Sequence, residues 1–165
     1  MGDEPVQERG EGGRRQPYMG QMRLFADDSP AEDWSIPRAL IIREPWASMI
    51  VLGTKRWELR GTATTVRGPI AIAAGGTGTI IGVCNVVDVR GPLSIEEYAD
   101  SWTLRGGAAE PNPPVLPYVR TYAWVLADPR PVSPRVPYHH PNGAVIWVKL
   151  PMDVQEGLRM ALQRC

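Results

Sequence analysis

The sequence predicts an α+β domain with a small, mostly antiparallel, curled sheet and flanking helices. Three observations predict this class. About six short apolar runs have the length of strands, three segments have helical character, and the two kinds do not alternate regularly along the chain. Regular alternation would predict a doubly wound parallel sheet, whereas this order favours antiparallel neighbours.

Composition divides the 165-residue chain into a tail and one domain. Residues 1–35 are rich in Gly, Glu, Arg, Pro and Asp with little apolar periodicity, so we expect them to be disordered. Their one apolar stretch, residues 22–28, is a possible docking segment for a protein partner. The first 33 residues carry eight acidic and four basic side chains, and the other 132 carry ten and fourteen. An acidic tail therefore precedes a mildly basic domain, predicted over residues 36–165.

The composition also excludes several classes of protein. At 43% hydrophobic and 22% charged residues it is typical of a soluble globular protein. No apolar run approaches the ~18 residues of a membrane span, and the N-terminus has no apolar signal segment, so we expect a cytoplasmic protein without a membrane partner. Cys84 and Cys165 form no CxxC pair, and His139 and His140 have no neighbouring cysteine or carboxylate. We therefore predict no metal site and no cofactor.

The domain is predicted to begin with a strand and a helix. The run RALIIR, residues 38–43, has the length and composition of a buried strand. A helix follows in EPWASMIVLG, because Pro45 suits a first turn and Gly53 suits an end. Three large side chains share one face of this helix at helical spacing: Trp46, Met49 and Ile50.

The stretch KRWELR, residues 55–60, predicts the second strand, with Lys55 in the turn just before it. Side chains alternate between the two faces of a strand. The core-facing set is Trp57 and Leu59, and the opposite set is Arg56, Glu58 and Arg60. The chain uses arginine sixteen times and lysine twice, so Lys55 stands out as a compact ammonium whose pKa changes on burial.

Two further strands are predicted at residues 67–74 and 79–89, joined as a hairpin by the glycine cluster GGTG. These glycines match neither a P-loop nor a dinucleotide fingerprint, so they do not predict a nucleotide-phosphate site. A helix follows from Ser94, whose hydroxyl and Glu97 suit a capping box. Residues 104–117 then form a long loop rich in Gly and Pro.

The last third of the chain predicts two strands and a helix. The strands are residues 120–128 and 143–150, separated by the proline-rich stretch PRPVSPRVPYHHPN. Residues 153–163 predict the helix, with Asp153 and Glu156 as its capping box.

Five of these segments, in this order, resemble the ASCH domain family, the activating-signal-cointegrator homology domains. The family signature G-x-K-x-x-E-x-R is complete at Gly53, Lys55, Glu58 and Arg60. PWAS at residues 45–48 and NGAVIW at residues 142–147 also match, and the resemblance extends from about Ile36 to Leu150. It implies a PUA-like fold, a small curled β-barrel with flanking helices.

The resemblance also implies a ligand cleft beside the barrel. PUA-like domains commonly bind RNA, and several hold a single modified base, so the implied partner is RNA or a nucleoside. The implied ligand-binding residues are Trp46, Ser48, Lys55, Glu58, Arg60, Asn142 and Gly143. Other relatives resemble amidohydrolases acting on acetylated cytidine, or ribonucleases, which makes a hydrolase with Lys55 and Glu58 as catalytic residues the alternative function.

Two departures from the family pattern bear on this choice. In the hydrolytic branch a threonine nucleophile stands where this chain has Glu58, and Ser48 and Thr54 are out of register with it. Many relatives have a longer polar segment after the strand that corresponds to IAIAA, and this chain has GGTG there instead. One wall of the cleft is therefore either missing or supplied by the loop at residues 104–117.

The charged motif has two interpretations. A carboxylate beside an ammonium favours the charged lysine, so the group suits the holding of a polar ligand better than proton abstraction. Glu58 would accept from an exocyclic amine, with Lys55 and Arg60 donating to carbonyl or phosphate oxygens. The other interpretation is a purely structural Glu58–Arg60 salt bridge.

The tryptophans also differ in their predicted roles. Trp46 is either a base-stacking residue or part of the core, whereas Trp57, Trp124 and Trp147 are predicted to be core.

Overall fold

A computed structural model describes residues 35–107 and 114–164 of the protein. Apart from Ser35, the predicted tail and its apolar stretch lie outside these residues. The described residues form six strands and three helices. In chain order they are β1 (Arg38–Ile42), α1 (Trp46–Val51), β2 (Trp57–Arg60), β3 (Gly68–Ala74), β4 (Thr79–Arg90), α2 (Ile95–Asp100), β5 (Tyr122–Pro137), β6 (Trp147–Lys149) and α3 (Met152–Gln163).

The strands form one sheet in the order β2-β5-β4-β3-β1-β6, curled into a half-barrel. All neighbours are antiparallel except β1 and β3, which pair in parallel with Ala39 opposite Ala71. This confirms the predicted α+β class with a small, mostly antiparallel, curled sheet. None of the helices in the described part of the chain has the length and apolar character needed to cross a membrane.

Both faces of the sheet are covered, and β3 shows why its sequence is almost entirely apolar. Ala71 and Ala73 face a core that α3 closes with Val154, Leu158 and Ala161. Alternate residues of β3 face the opposite core, which α1 covers. Because side chains alternate along a strand, a central strand covered on both faces must be apolar at every position.

The predicted strand at residues 120–128 is longer than expected. β5 runs through the proline-rich stretch to Pro137, so the prediction that this stretch separates two strands was wrong. Among the described residues, β2 pairs with β5 only from Tyr122 to Val125, and the same edge has no partner strand farther along. Prolines are tolerated there because a missing N–H removes no ladder hydrogen bond at an open edge, and the β4–β5 register shifts absorb the irregularity.

Two predicted element starts also differ. α3 begins after Pro151 with no side-chain cap, so the predicted Asp153–Glu156 capping box is not formed. Glu156 instead forms an ion pair with Arg159 one turn later. β6 covers three residues rather than residues 143–150, because the chain turns at Gly143, which has a φ of +79°. The capping box of α2, between Ser94 and Glu97, is formed as predicted.

Candidate functional site

A cleft of about 1180 Å³ opens beside the sheet, where β1 ends and β2 runs along its outer edge. The segments at both ends of the loop predicted for residues 104–117 contribute to its wall, as does the segment before β6. The lining includes, in chain order, Arg43, Glu44, Trp46, Lys55, Glu58, Leu59, Arg60, Tyr98, Arg105, Pro117, Tyr118, His140 and Val145.

Lys55 lies at the floor of the cleft with only 3% of its surface exposed. Its Nζ donates to the carbonyl oxygens of Trp57, at 2.5 Å, and Arg105, at 3.4 Å. The Oε2 atom of Glu58 is 3.3 Å from the same nitrogen. An ammonium has three hydrogens that point in different directions. Three oxygens within 3.4 Å of one nitrogen therefore suit the compact ammonium of lysine.

The environment of Lys55 lowers the pKa of its ammonium. The largest cause is burial, which disfavours the charged form. The negative charge of Glu58 acts in the opposite direction, and the positive charges of Arg105 and Arg60 add to the lowering. The carboxylate thus favours the charged lysine, as the sequence predicted, but burial outweighs it.

Glu58 lies between the two cations of the motif and is itself buried, with 8% of its side chain exposed. Its Oε1 is 3.2 Å from Nη2 of Arg60, and this Nη2 also donates to the carbonyl oxygen of Ile41 at 3.0 Å. Two buried atoms of this pair, Oε2 of Glu58 and Nε of Arg60, have no hydrogen-bond partner among the described residues. Oε2 is nevertheless engaged, because it forms the ion pair with the Lys55 ammonium at 3.3 Å.

Local structure explains why these side chains converge. β2 pairs with β5, placing Glu58 opposite Trp124 and Arg60 opposite Tyr122. Glu58 and Arg60 are two residues apart, so they project from the same face of the strand. Trp57 projects from the other face into a small cluster with Leu93 and Ala123. The predicted alternation in KRWELR is therefore present.

Trp46 opens α1 at the mouth of the cleft and is 42% exposed. The interpretation of Trp46 as a core residue was therefore wrong, although Ile50 on the same helix is buried. Trp57 and Trp124 are buried as predicted, and the half-buried Trp147 stacks on Trp124 with 5.6 Å between ring centroids.

Sequence reasoning missed Arg105 and Tyr98 in the cleft wall. Arg105 is buried, and its guanidinium carbon lies 3.8 Å from the centroid of the Tyr98 ring. Its Nε donates to the carbonyl oxygen of Tyr98 and to Oγ of Ser101, both at 3.1 Å. The only signal in the sequence was the expectation that the loop at residues 104–117 supplies a wall of the cleft. Arg105 is one of sixteen arginines, and no sequence pattern distinguishes it from the others.

Three predicted ligand-binding residues do not line the cleft. Ser48 donates from its Oγ to Oε1 of Glu44 at 3.0 Å, and it is Glu44 that lines the cleft. Asn142 and Gly143 are exposed in the turn before β6. His140 and Val145, on either side of that turn, line the cleft in their place.

The sequence predicts no metal site at the histidine pair, His139 and His140. His140 bonds through Nδ1 to the Tyr138 hydroxyl and through Nε2 to the carbonyl oxygen of Ala144, both at 3.1 Å. Within residues 35–107 and 114–164 no group of three side chains has the arrangement of a metal site.

A curled six-stranded half-barrel with three helices and a lateral cleft defines an α+β protein of the PUA-like class. The ASCH domain model matches residues 40–135, which is more than half of the chain, and the protein belongs to the ASCH domain family. No curated protein matches the sequence.

Solved structures agree with the family at the level of the fold. The crystal structure of an ASCH protein from Zymomonas mobilis gives a TM-score of 0.54 at 15% identity, over 74% of this chain and 93% of that chain. A serine-to-alanine variant of that protein gives 0.53 at 16% identity, over 76% and 98%. A tyrosine-to-phenylalanine variant also gives 0.53 at 16% identity, over 74% and 96%. At such low identity the likeness shows the fold alone.

Proposed function

We propose that this protein binds RNA and holds one nucleobase in the cleft. ASCH domains are generally thought to bind RNA, which supports the class of partner. The observation that carries the proposal is the buried Lys55–Glu58–Arg60 group at the floor of a cleft with an exposed tryptophan at its mouth. Buried ionic groups that line an open cleft suit recognition of a polar ligand.

The size and charge of the cleft fit this ligand. Ligand pockets usually enclose about 300–1,000 Å³, so a cleft of about 1180 Å³ has room for a base and part of its sugar-phosphate backbone. The charged side chains in the lining are two carboxylates, Glu44 and Glu58, and four cations, Arg43, Lys55, Arg60 and Arg105. The excess positive charge favours an anionic ligand, and the exposed Arg43 at the rim is suited to a phosphate.

Trp46 provides the test. Stacking of a base on an aromatic side chain contributes about 1–3 kcal/mol, so Trp46→Ala should weaken RNA binding by about 5- to 150-fold. The measurement is fluorescence anisotropy of a labelled single-stranded RNA. Trp102→Ala is the matched control, because Trp102 is 47% exposed and lies outside the cleft lining. Equal affinity of the two variants would contradict binding in the cleft.

The alternative is a hydrolase that acts on an acylated nucleoside with Lys55 as base and Glu58 assisting. The lowered pKa of Lys55 favours this function, because a base needs a fraction of free amine. Against it, Lys55 already donates to two carbonyls, and the hydroxyls of Ser48 and Thr54 are hydrogen-bonded elsewhere. The nucleophile would therefore be water, which adds across the amide bond and releases acetate and cytidine.

A mass-spectrometric time course with acetylated cytidine separates the two functions. Product from the wild-type protein, and none from Lys55→Ala, would establish the hydrolase. We expect no product from either protein. The RNA-binding assay remains the direct test of the leading proposal.

A further inference from the structure

The cleft contains a second exposed aromatic side chain besides Trp46. Tyr118 lines the same cleft, and both residues have 42% of their surface exposed. A large ring left in water forgoes the free energy that burial would give it. Aromatic side chains that remain exposed in a cleft are therefore candidate contacts for a flat, partly apolar ligand such as a base.

Tyr118 is held in place although its ring is exposed. The buried hydroxyl residue Thr121 fixes its backbone, because Oγ1 of Thr121 donates to the carbonyl oxygen of Tyr118 at 3.0 Å and accepts from its N–H at 3.3 Å. The ring lies directly against Gly61, where an added Cβ atom would be 3.2 Å from Cδ1 of Tyr118 and 3.4 Å from its Cγ. A side chain held before the ligand arrives loses less conformational freedom on binding.

Trp46 and Tyr118 are carried by different parts of the fold. Trp46 begins α1, the element after β1, and Tyr118 lies against Gly61, the residue after β2. The hydrogen bond from Nη2 of Arg60 to the carbonyl oxygen of Ile41, at 3.0 Å, joins these two strands. Among the ring contacts of the described residues, none joins Trp46 to Tyr118. The two rings are therefore separate surfaces on which a base can stack.

The size of the cleft leaves room for a second base. Its volume of about 1180 Å³ exceeds the about 300–1,000 Å³ of usual ligand pockets. Proteins that bind single strands stack successive bases on successive aromatic side chains. The bases of a duplex are already stacked and paired, so a ligand that spreads over two rings has to be single-stranded.

We propose, building on the RNA binding proposed above, that the cleft holds two consecutive unpaired bases, one on Trp46 and the next on Tyr118. Trp46 stacks on the base of the proposed function, and Tyr118 adds a second stacking position beside it. The ligand class is a dinucleotide step of single-stranded RNA.

Dinucleotides that differ only in their number of bases test the proposal. A fluorescently labelled nonamer of uridine is the probe, and unlabelled competitors displace it in an anisotropy assay. One competitor is the 5′-phosphorylated dinucleotide pUpU. Two others have the same sugars and phosphates but lack either the 5′ or the 3′ base. We expect the wild-type protein to bind pUpU about 5- to 150-fold more tightly than either one-base form, because the second base adds one stacking contact.

Variants assign this preference to Tyr118. In Tyr118→Ala only the ring of Trp46 remains, so the preference for pUpU should fall to within about threefold. Tyr118→Phe keeps the ring and should restore the preference, which distinguishes stacking from a contact of the hydroxyl. Val119→Ala is the matched control and should behave as the wild type, because Val119 is exposed beside Tyr118 and lies outside the cleft lining.

The outcomes separate the second stacking position from the RNA binding on which it rests. Equal binding of pUpU and the one-base forms by the wild type would overturn the two-base proposal and leave RNA binding intact. So would a preference that persists in Tyr118→Ala. If Tyr118→Ala weakens the one-base forms as much as pUpU, both rings hold the same base and the proposal is also overturned. A uridine nonamer that does not bind the wild-type protein would overturn RNA binding itself, and the two-base proposal with it.

Discussion

At the scale of single residues, the two lysines of this chain occupy opposite environments. Lys55 is buried among three oxygens, whereas Lys149 is exposed on β6. A buried charge is tolerated only when it is paired and hydrogen-bonded. The ammonium of Lys55 also pairs with the carboxylate of Glu58, so one lysine both stabilises the floor of the cleft and holds its carboxylate in place.

Lys55→Ala should lower the free energy of unfolding by about 3 kcal/mol, because it leaves two buried carbonyls and one carboxylate oxygen without their cation. Lys149→Ala is the control and should change stability by less than about 0.5 kcal/mol, as exposed substitutions usually do. Urea denaturation of the two variants measures both values. Similar losses in both would show that the Lys55 contacts do not stabilise the fold.

Cys84 makes stability depend on pH. Burial raises the pKa of its thiol from an ordinary value of 9.0 to about 12. Above pH 9 the unfolded chain releases this proton while the folded protein keeps it, so the contribution of Cys84 to stability is lost as pH rises from 9 toward 12. The loss approaches about 1.4 kcal/mol per pH unit.

Denaturation of wild type and Cys84→Ala between pH 8 and pH 10.5 isolates this effect. The smaller side chain of the variant lowers the free energy of unfolding by an amount that does not change with pH. The two proteins are therefore compared by the slope of the free energy of unfolding against pH. We expect the wild type to lose stability more steeply than the variant above pH 9. Parallel slopes would mean that the thiol ionises in the folded protein.

At the scale of elements, the position of α1 governs the cleft, because this helix carries Trp46 at its start and leads into the turn that holds Lys55. The helix packs on β4 at a glycine. A Cβ atom on Gly82 would lie 2.6 Å from Cγ2 of Val51 and 2.8 Å from the carbonyl oxygen of Arg130. A backbone oxygen cannot move away as a flexible side chain can, so this contact requires glycine.

Gly82→Ala should therefore destabilise the protein by about 2 kcal/mol and displace α1, weakening RNA binding as well. Gly157→Ala is the contrasting variant, because Gly157 lies inside α3 and its nearest neighbour to an added Cβ is Val136 Cγ1 at 3.4 Å. Alanine favours a helix interior, so stability should be unchanged or raised by up to about 1 kcal/mol. Thermal unfolding and the anisotropy assay measure the two effects, and unchanged values for Gly82→Ala would contradict the packing argument.

At the scale of the whole molecule, the core clusters of the described residues begin at Ile36, and Ser35 hydrogen-bonds to Gln155 of α3. The prediction that residues 36–165 form the domain follows from the sequence, and deletion tests it. A chain that starts at Ser35 should unfold within a few degrees of the full-length protein. A fall of more than about 10 °C would show that the first 34 residues contribute to folding, since 1 kcal/mol shifts the midpoint by about 2–8 °C.

The sequence by itself determined the class of fold, five of the six strand positions to within a few residues, and the motif Lys55, Glu58 and Arg60. These features follow from local periodicity and from a contiguous pattern, which a sequence displays directly. Only the tertiary structure decided that Trp46 is exposed, that β5 continues through its prolines, and that Arg105 forms a wall of the cleft. Each of these depends on which distant segment lies alongside. No local pattern encodes such properties of packing. They include an open strand edge, an uncovered helix face, and the hydrogen bond from Lys55 to the carbonyl oxygen of Arg105, fifty residues away.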